Sequence, residues 1–153
     1  MISMRSKYAL KALGYMAEAS DKDSFLIADI AQAEKIPKKF LEAILLTMKN
    51  SGLLSSRKGP GGGYSLAKPP SLITIGAVIR AFEGDLIPLQ CLSETTPAGC
   101  PECDDVDTCG LRLVMTDVER ALSTVLDATT IADMLQRSEF ERQKKQQVVD
   151  FAI

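Results

Sequence analysis

Apolar residues recur every three or four positions along three segments in the first third of the chain, the spacing of helices that each bury one face. The first segment covers residues 6–19, and the second is shorter and stops near Lys35. Pro37 then suits the first turn of a third helix, where its missing N–H costs nothing. The pattern therefore predicts one packing helix, followed by two short helices that a tight turn separates.

The third predicted helix divides into an apolar face and a polar face. Its apolar face consists of Phe40, Leu41, Ile44, Leu45 and Met48. Its outward face consists of Lys38, Lys39, Glu42, Ala43 and Thr47. A helix of this kind can enter the major groove of DNA, where outward side chains reach base edges or nearby phosphates. The outward residues that we predict to contact DNA are Lys38, Lys39, Glu42 and Thr47.

A glycine-rich hairpin follows this helix, because residues 53–54 begin a strand and residues 64–66 return antiparallel to it. The tip reads Arg57-Lys58-Gly59-Pro60-Gly61-Gly62-Gly63. Glycine adopts positive φ without strain, so the tip can turn tightly and present its two cations to a polyanion. The alternatives are that Gly61, Gly62 and Gly63 only make the turn, and that Lys38 and Lys39 of the third helix only meet solvent. The hairpin residues that we predict to contact phosphate or the minor groove are Arg57, Lys58, Gly59 and Gly61.

The second half of the chain predicts a helix over residues 75–82, a long loop over residues 86–108 and a long helix from Leu111. The long helix carries apolar residues at alternating steps of three and four, which is typical of a coiled-coil seam and predicts contact with a second copy of the chain. These seam residues are Leu111, Val114, Met115, Val118, Ala121, Leu122 and Val125. Residues 129–135 indicate a further short helix, and the polar segment from Arg137 is either a frayed helix or disordered.

These elements predict a mainly α fold with a small β-hairpin wing, that is, a winged helix-turn-helix DNA-binding domain joined to a long dimerisation helix. We expect the DNA-binding domain at residues 1–84, a cysteine-containing sensor loop at 85–110, the dimerisation helix region at 111–136 and a polar C-terminal tail at 137–153.

Charge is divided unevenly along the 153 residues, whose net charge is −2. Residues 1–68 carry 11 Lys/Arg and 6 Asp/Glu, whereas residues 69–153 carry 7 and 14. The basic part holds the predicted reading helix and wing, which favours a nucleic-acid surface there. The chain has no histidine and no Walker-type phosphate loop, which disfavours an enzyme. It also has no run of about 18 apolar residues and no secretory leader, so we expect a cytoplasmic protein.

All four cysteines lie within 19 residues, at Cys91, Cys100, Cys103 and Cys109. In a reducing compartment such a group favours metal binding or redox chemistry over structural disulfides. Thiolates suit iron–sulfur clusters and Zn²⁺ alike. The cysteine pattern leaves open an iron–sulfur cluster, a zinc site, a reversible thiol switch and four unligated thiols.

The chain resembles the winged-helix bacterial repressors that carry an iron–sulfur sensor, the IscR/NsrR type. The most specific part of the likeness is the run Arg57-Lys58-Gly59-Pro60-Gly61-Gly62-Gly63-Tyr64-Ser65-Leu66. Further matching segments are Ser6-Lys7-Tyr8-Ala9-Leu10-Lys11, Phe40-Leu41-Glu42, Ser51-Gly52-Leu53-Leu54, Ile75-Gly76-Ala77-Val78-Ile79-Arg80-Ala81-Phe82-Glu83-Gly84 and Cys109-Gly110-Leu111-Arg112. The resemblance implies a homodimeric regulator that binds a palindromic operator in double-stranded DNA.

The resemblance also implies a cluster held by three cysteines of the loop and a fourth ligand that varies among family members. We assign Cys91, Cys103 and Cys109 to the family trio. Arg112 lies where some members place a histidine, and the first helix offers lysines where others place an acid, so Cys100 becomes the predicted fourth ligand. The expected cofactor is a [2Fe-2S] or [4Fe-4S] cluster, with zinc as the alternative. The alternative function is a regulator of the same fold that responds to a small molecule or a partner protein.

Overall fold

The computed structural model describes residues 2–19, 22–87, 89–93, 103 and 105–151, the last four as backbone. The fold is mainly helical with one antiparallel β-hairpin, as the sequence predicts. In chain order the elements are α1 Met4–Glu18, α2 Ile27–Glu34, α3 Lys38–Asn50, β1 Leu54–Arg57, β2 Gly63–Leu66, α4 Ile75–Glu83, α5 Gly110–Ala128 and α6 Ile131–Phe151, with one-turn 3-10 helices at Pro70–Leu72 and Gln90–Leu92. In these ranges no helix is long and apolar enough to cross a membrane.

The hydrophobic core lies between α1, α2, α3 and α4, and the start of α6 closes it. Leu13 of α1, Leu41 of α3 and Val78 of α4 are each fully buried. Ile131 at the start of α6 is also fully buried, and its N–H donates to the carbonyl of Ile73. Because Gly14 has no side chain, Met134 of α6 can lie directly against α1 at that point.

The turn between α2 and α3 depends on two residues that stop one helix and start the next. Lys35 adopts the left-handed conformation, with φ of 54°, and its N–H still bonds to α2 carbonyls. Pro37 immediately precedes α3, one position earlier than the first-turn site that the sequence suggests. The second and third helices therefore form the compact pair that the periodicity predicts.

The predicted apolar face of α3 is correct except at its first member. Leu41, Ile44, Leu45 and Met48 are buried. Phe40 is 37% exposed and meets the Tyr8 ring edge-on, with ring centroids 5.8 Å apart. At 100° per residue Phe40 falls on the flank of the buried stripe, so it covers the joint between α1 and α3 instead of filling the core.

The hairpin is anchored to the helical body by the buried side chain of Leu54 and by a backbone bridge to Phe25. Within the hairpin Leu54 pairs with Leu66, and Arg57 pairs with Gly63. Phe25 and Tyr64 exchange both backbone hydrogen bonds, at 2.8 and 2.9 Å. The base of the wing is thereby fixed to the segment just before α2.

The two C-terminal helices differ from the sequence expectation in one respect. The predicted short helix at residues 129–135 and the polar tail form one helix, α6, which continues to Phe151. Its first turns pack on the core, whereas residues 136–147 are exposed. The expected division at residue 137 therefore falls inside a continuous helix, which reaches α1 again through Arg142 and Glu18, 3.5 Å apart.

Candidate nucleic-acid interface and cysteine cluster

The outer face of α3 presents most of the residues that the sequence nominates for DNA. Lys38, Lys39 and Glu42 are exposed, because the helix directs its apolar stripe into the core. Thr47 is only half-exposed, and its hydroxyl donates to the carbonyl of Ala43 at 3.1 Å. The Thr47 hydroxyl is therefore turned back toward its own helix.

Leu46 is an outward residue of α3 that the sequence reasoning missed. Its side chain is 51% exposed. The run Ile44-Leu45-Leu46 holds three consecutive apolar residues. At 100° per residue, three consecutive side chains span about 200° around the helix, which is wider than a buried stripe. The run therefore indicates that one of the three side chains points outward.

The wing presents Arg57, Lys58 and Gly59 to solvent at its tip. Gly59 and Gly61 have φ of 93° and 73°, in the region that favours glycine, so these two positions make the tight turn that the sequence predicts. The Gly61 carbonyl accepts a hydrogen bond from the Ser24 hydroxyl at 3.0 Å, and the Gly62 N–H donates to the Gly59 carbonyl at 2.8 Å. The tip is thus held in shape by backbone contacts, and its cations stay available.

A second kind of constraint acts at Gly62. A Cβ there would overlap the carbonyl oxygens of Arg57 and Gly59. Gly62 is therefore required for backbone packing inside the turn, separately from the conformational role of its neighbours.

Three of the four cysteines lie in the described residues, around the start of α5. Cys91 is in the one-turn helix Gln90–Leu92, and Cys109 directly precedes α5. Cys91, Cys103 and Cys109 are half-buried and form no disulfide with one another. Cys100 lies outside the described residues. No three Cys, Asp or Glu side chains are gathered closely enough to hold a metal ion in the part of the chain that the structure describes.

The surroundings of Cys109 favour its thiolate form. The pKa of the Cys109 thiol is lowered, chiefly by the N–H of Arg112 in the first turn of α5, with smaller contributions from a hydrogen bond that the Cys109 sulfur accepts from the Cys103 side chain, from the Leu111 N–H and from the Arg112 charge. Arg112 also reaches toward the Cys91 carbonyl, with Nε 3.5 Å from the oxygen. Since thiolates are the metal-binding form of cysteine, the lowered pKa favours Cys109 as a sulfur ligand.

The face of α5 that lies against the body is largely polar, with Leu126 packed against the hydrophobic core. Arg80 of α4 donates two hydrogen bonds to the Asp127 carboxylate, one of them at 2.9 Å, and a weaker one to the Ser123 hydroxyl at 3.3 Å. Ser123 in turn donates to Glu119 at 2.8 Å. Gly76 makes this contact possible, because a Cβ there would collide with the Asp127 carboxylate. No residue of α5 is fully buried.

The opposite face of α5 is apolar and open. The exposed fractions run from 40% at Val118 to 59% at Val125. We call this surface the α5 apolar stripe, and its large members are Leu111, Val114, Val118, Leu122 and Val125. An apolar stripe on the solvent side of a helix that binds its own body through polar groups is typical of a protein–protein contact.

Comparison with known proteins places this architecture in a family. Residues 2–137 match the Rrf2 family, described as iron-dependent transcriptional regulators. The chain is 38% identical over 138 residues to an rrf2-like HTH-type transcriptional regulator of Rhodobacter capsulatus, an alignment that covers 88% of this chain and 92% of that protein. It is 34% identical over 131 residues to the HTH-type transcriptional regulator NsrR of Geobacillus kaustophilus, covering 86% of each.

A solved structure shows the same fold. CymR, the global cysteine regulator of B. subtilis, superposes with a TM-score of 0.71 and 28% identity, over 90% of this chain and 97% of that chain. The winged-helix fold and the resemblance predicted from the sequence are thereby confirmed. The relatives are regulators of transcription and not enzymes. The protein belongs to the Rrf2 family of transcriptional regulators.

Proposed function

We propose that the protein is a homodimeric repressor that binds a two-part DNA operator and senses iron, redox state or nitric oxide through an iron–sulfur cluster. The observation that carries this proposal is the set of contacts that α5 makes along its length and on its two faces. Cys109 directly precedes α5, the inner face of α5 bonds to α4, and its outer face is the α5 apolar stripe. One helix therefore connects the cysteines, the DNA-binding body and the expected subunit contact.

The dimer is supported by the polarity of α5. A helix that lies on the surface of a monomer normally buries its apolar face and exposes its polar one. In α5 the arrangement is reversed, since Arg80 of α4 binds the polar face and leaves the apolar stripe open. Burying this stripe against its copy removes several large aliphatic side chains from water in each subunit, a favourable transfer of about 1.5–3 kcal/mol for each fully buried side chain.

The DNA contact is supported by the charge and exposure of α3 and the wing. Lys38 and Lys39 lie at the N-terminal end of α3, the end that reading helices direct toward base edges. Arg57 and Lys58 lie exposed at the wing tip, where cations bind phosphate or the minor groove. We assign base-edge contacts to α3 and affinity to the wing, with Gly59 and Gly61 letting the backbone approach the DNA closely.

The cluster proposal rests on the cysteines and on the description of the family as iron-dependent. Cys91, Cys103 and Cys109 would hold the group, with Cys100 as the fourth thiolate. When bound, an iron–sulfur cluster supplies a centre that oxygen, nitric oxide or iron shortage can alter. The chain lowers the pKa of the Cys109 thiol, chiefly through the Arg112 N–H, and places Arg112 Nε 3.5 Å from the Cys91 carbonyl oxygen.

The response to the signal follows from the position of Cys109. Any change in the order of the cysteine loop acts on the first turn of α5, and α5 contacts α4 through Arg80 and Asp127. The two half-sites of an operator lie about one helical turn, near 34 Å, apart, so the spacing of the two reading helices must be accurate. A shift of α5 on α4 therefore changes the population of dimers that fit the operator.

The subunit contact is tested by placing a charge in the α5 apolar stripe. We expect the wild-type protein to sediment as a dimer and Val118→Glu to be monomeric at micromolar concentration, because an unpaired carboxylate would be buried at the contact. Operator affinity should fall at least 100-fold in the same variant. Thr124→Glu adds the same charge to α5 outside the stripe and should remain dimeric. A dimeric Val118→Glu protein, or a monomeric wild type, contradicts the proposal.

The sensor is tested on protein purified without oxygen. We expect a brown sample with visible absorbance bands and stoichiometric iron and sulfide, all lost in Cys109→Ala. Colourless protein with stoichiometric zinc would assign a zinc site instead. Operator binding and signal response that are unchanged when all four cysteines become alanine would contradict a sensing role for the cysteines.

A further inference from the structure

Leu46 lies at the centre of the surface that α3 turns away from the core. At 100° per residue, the direction opposite to the buried stripe is shared by Lys39, Ala43, Leu46 and Asn50. All four residues are exposed. Leu46 is the large apolar side chain of this set, and half of its surface meets solvent.

The surroundings of Leu46 indicate which kind of surface would cover it. Lys39 lies two turns before it along the same face, and Lys49 lies three residues after it, both exposed. The neighbouring Thr47 hydroxyl donates to the Ala43 carbonyl, so it does not present a free hydrogen-bond donor beside Leu46. The face thus consists of an apolar centre between cations, a pattern that fits a polyanionic partner with an apolar group in its middle.

The major groove of DNA matches that description in one particular way. Its edges are phosphates, and the C5-methyl group of thymine is the apolar group that base pairs present there. We propose that Leu46 contacts a thymine C5-methyl group in each half-site and thereby selects thymine at one position of the operator. This inference rests on the proposed function, because it requires α3 to enter the major groove.

The role assigned to Leu46 differs from that of its neighbours. Lys38 and Lys39 can bind phosphates or guanine acceptors, and Glu42 can accept a hydrogen bond from cytosine. Leu46 makes no hydrogen bond, so its contribution is confined to the one base that carries a methyl group. Replacing that base by uracil, which lacks only the methyl group, removes the proposed contact without changing any hydrogen-bonding atom.

The experiment compares thymine and uracil in an otherwise identical operator. A binding duplex is first isolated with the wild-type protein by selection from random double-stranded DNA. Each thymine pair related by the symmetry of the site is then replaced by uracil, and affinities are measured for wild type, Leu46→Ala and Leu72→Ala. Leu72 is a matched control, because it is a 66% exposed leucine outside α3 and the wing.

At one symmetric thymine position we expect uracil to weaken wild-type binding about fourfold when one half-site is changed and about 15-fold when both are changed. This is the effect expected from the loss of one buried methyl group in each half-site. Leu72→Ala should show the same loss. Leu46→Ala should bind the thymine and uracil duplexes equally, and should unfold at the wild-type temperature since the side chain is exposed.

Two results would overturn the inference. One is a wild-type protein that is indifferent to uracil at every position, and the other is a Leu46→Ala variant that keeps the full uracil penalty. Both results presuppose specific DNA binding, so they leave the proposed function intact. A wild-type protein that selects no duplex at all would instead contradict the proposed function.

Discussion

Glu83 joins the start of α1 to the end of α4 through a single carboxylate. Its Oε1 accepts hydrogen bonds from the Ser6 hydroxyl and from the Ser3 N–H, the latter at 3.1 Å. Ser3 also caps α1 by accepting from the Ser6 N–H at 3.3 Å. The pKa of Glu83 is lowered from its ordinary value of 4.5, chiefly by the nearby Ser3 side chain, next by the Ser6 hydroxyl and to a smaller extent by the Ser3 N–H. The charged form of one exposed residue therefore helps to hold two helices together.

This lowered pKa predicts a pH dependence of stability. A carboxyl whose pKa is lower in the folded state stabilises the protein fully above pH 4.5, and the contribution is lost as the pH falls through the lowered pKa. At pH 7 we expect the free energy of unfolding of Glu83→Gln to be lower than that of wild type by at most about 1 kcal/mol, because exposed contacts are weak. The difference from wild type should shrink in acid.

Denaturant unfolding of both proteins between pH 3 and pH 7 measures this difference. Glu139→Gln, on the exposed part of α6, controls for the loss of one negative charge. Parallel pH curves for wild type and Glu83→Gln would show that the Glu83 carboxylate does not act as described.

At the scale of elements, α5 meets the body through the apolar contact of Leu126 and through hydrogen bonds between Arg80 of α4 and Asp127. The Arg80 pKa is raised and the Asp127 pKa is lowered, in both cases chiefly by their shared hydrogen bonds. The side chains remain 34% and 47% exposed, so water weakens the pair. A contact of this strength is weak enough to break when α5 shifts on α4, which is the movement that the proposed response requires.

A double-mutant cycle on Arg80→Gln and Asp127→Asn measures the strength of this contact. We expect a coupling of about 0.5–1 kcal/mol in unfolding free energy, the range for a well-aligned, partly exposed ion pair. Arg120 and Asp117 form a matched pair on α5, 71% and 77% exposed, and their cycle should give a coupling near zero. Equal couplings in the two cycles would contradict a specific role for the α4–α5 pair.

At the scale of the whole molecule, charge is separated between the two halves of the chain. The basic residues 1–68 include α3 and the wing, whereas the acidic remainder includes the cysteine loop and α5. Under the proposed function this asymmetry would favour an approach to DNA through the basic N-terminal part of the chain. The small net charge of −2 conceals this asymmetry.

The salt dependence of operator binding should therefore report the wing cations. If each subunit places Lys58 on a phosphate, Lys58→Gln removes two contacts from the dimer, and the slope of log affinity against log salt should become shallower by about 1.8. Lys145→Gln, on the exposed part of α6, should leave the slope unchanged. Titrations between low and moderate salt measure both, and an unchanged slope in Lys58→Gln would remove that lysine from the interface.

Local pattern was sufficient for most of the architecture. The bounds of α3, α4 and the hairpin follow from apolar spacing, from Pro37 and from Gly84, because helix faces and turns depend on nearby residues. The wing motif was specific enough to identify the family. A shared site for the four cysteines stays a prediction from their spacing, since the structure describes only Cys91, Cys103 and Cys109.

Other features depended on contacts between residues far apart in sequence. Arg80 and Asp127 are 47 residues apart, and nothing local to either residue indicates that they meet. The polar face of α5 could be taken for a solvent face until α4 was seen to bind it. The exposure of Phe40 and Leu46 was decided in the same way, because an apolar residue is buried only where another element arrives to cover it.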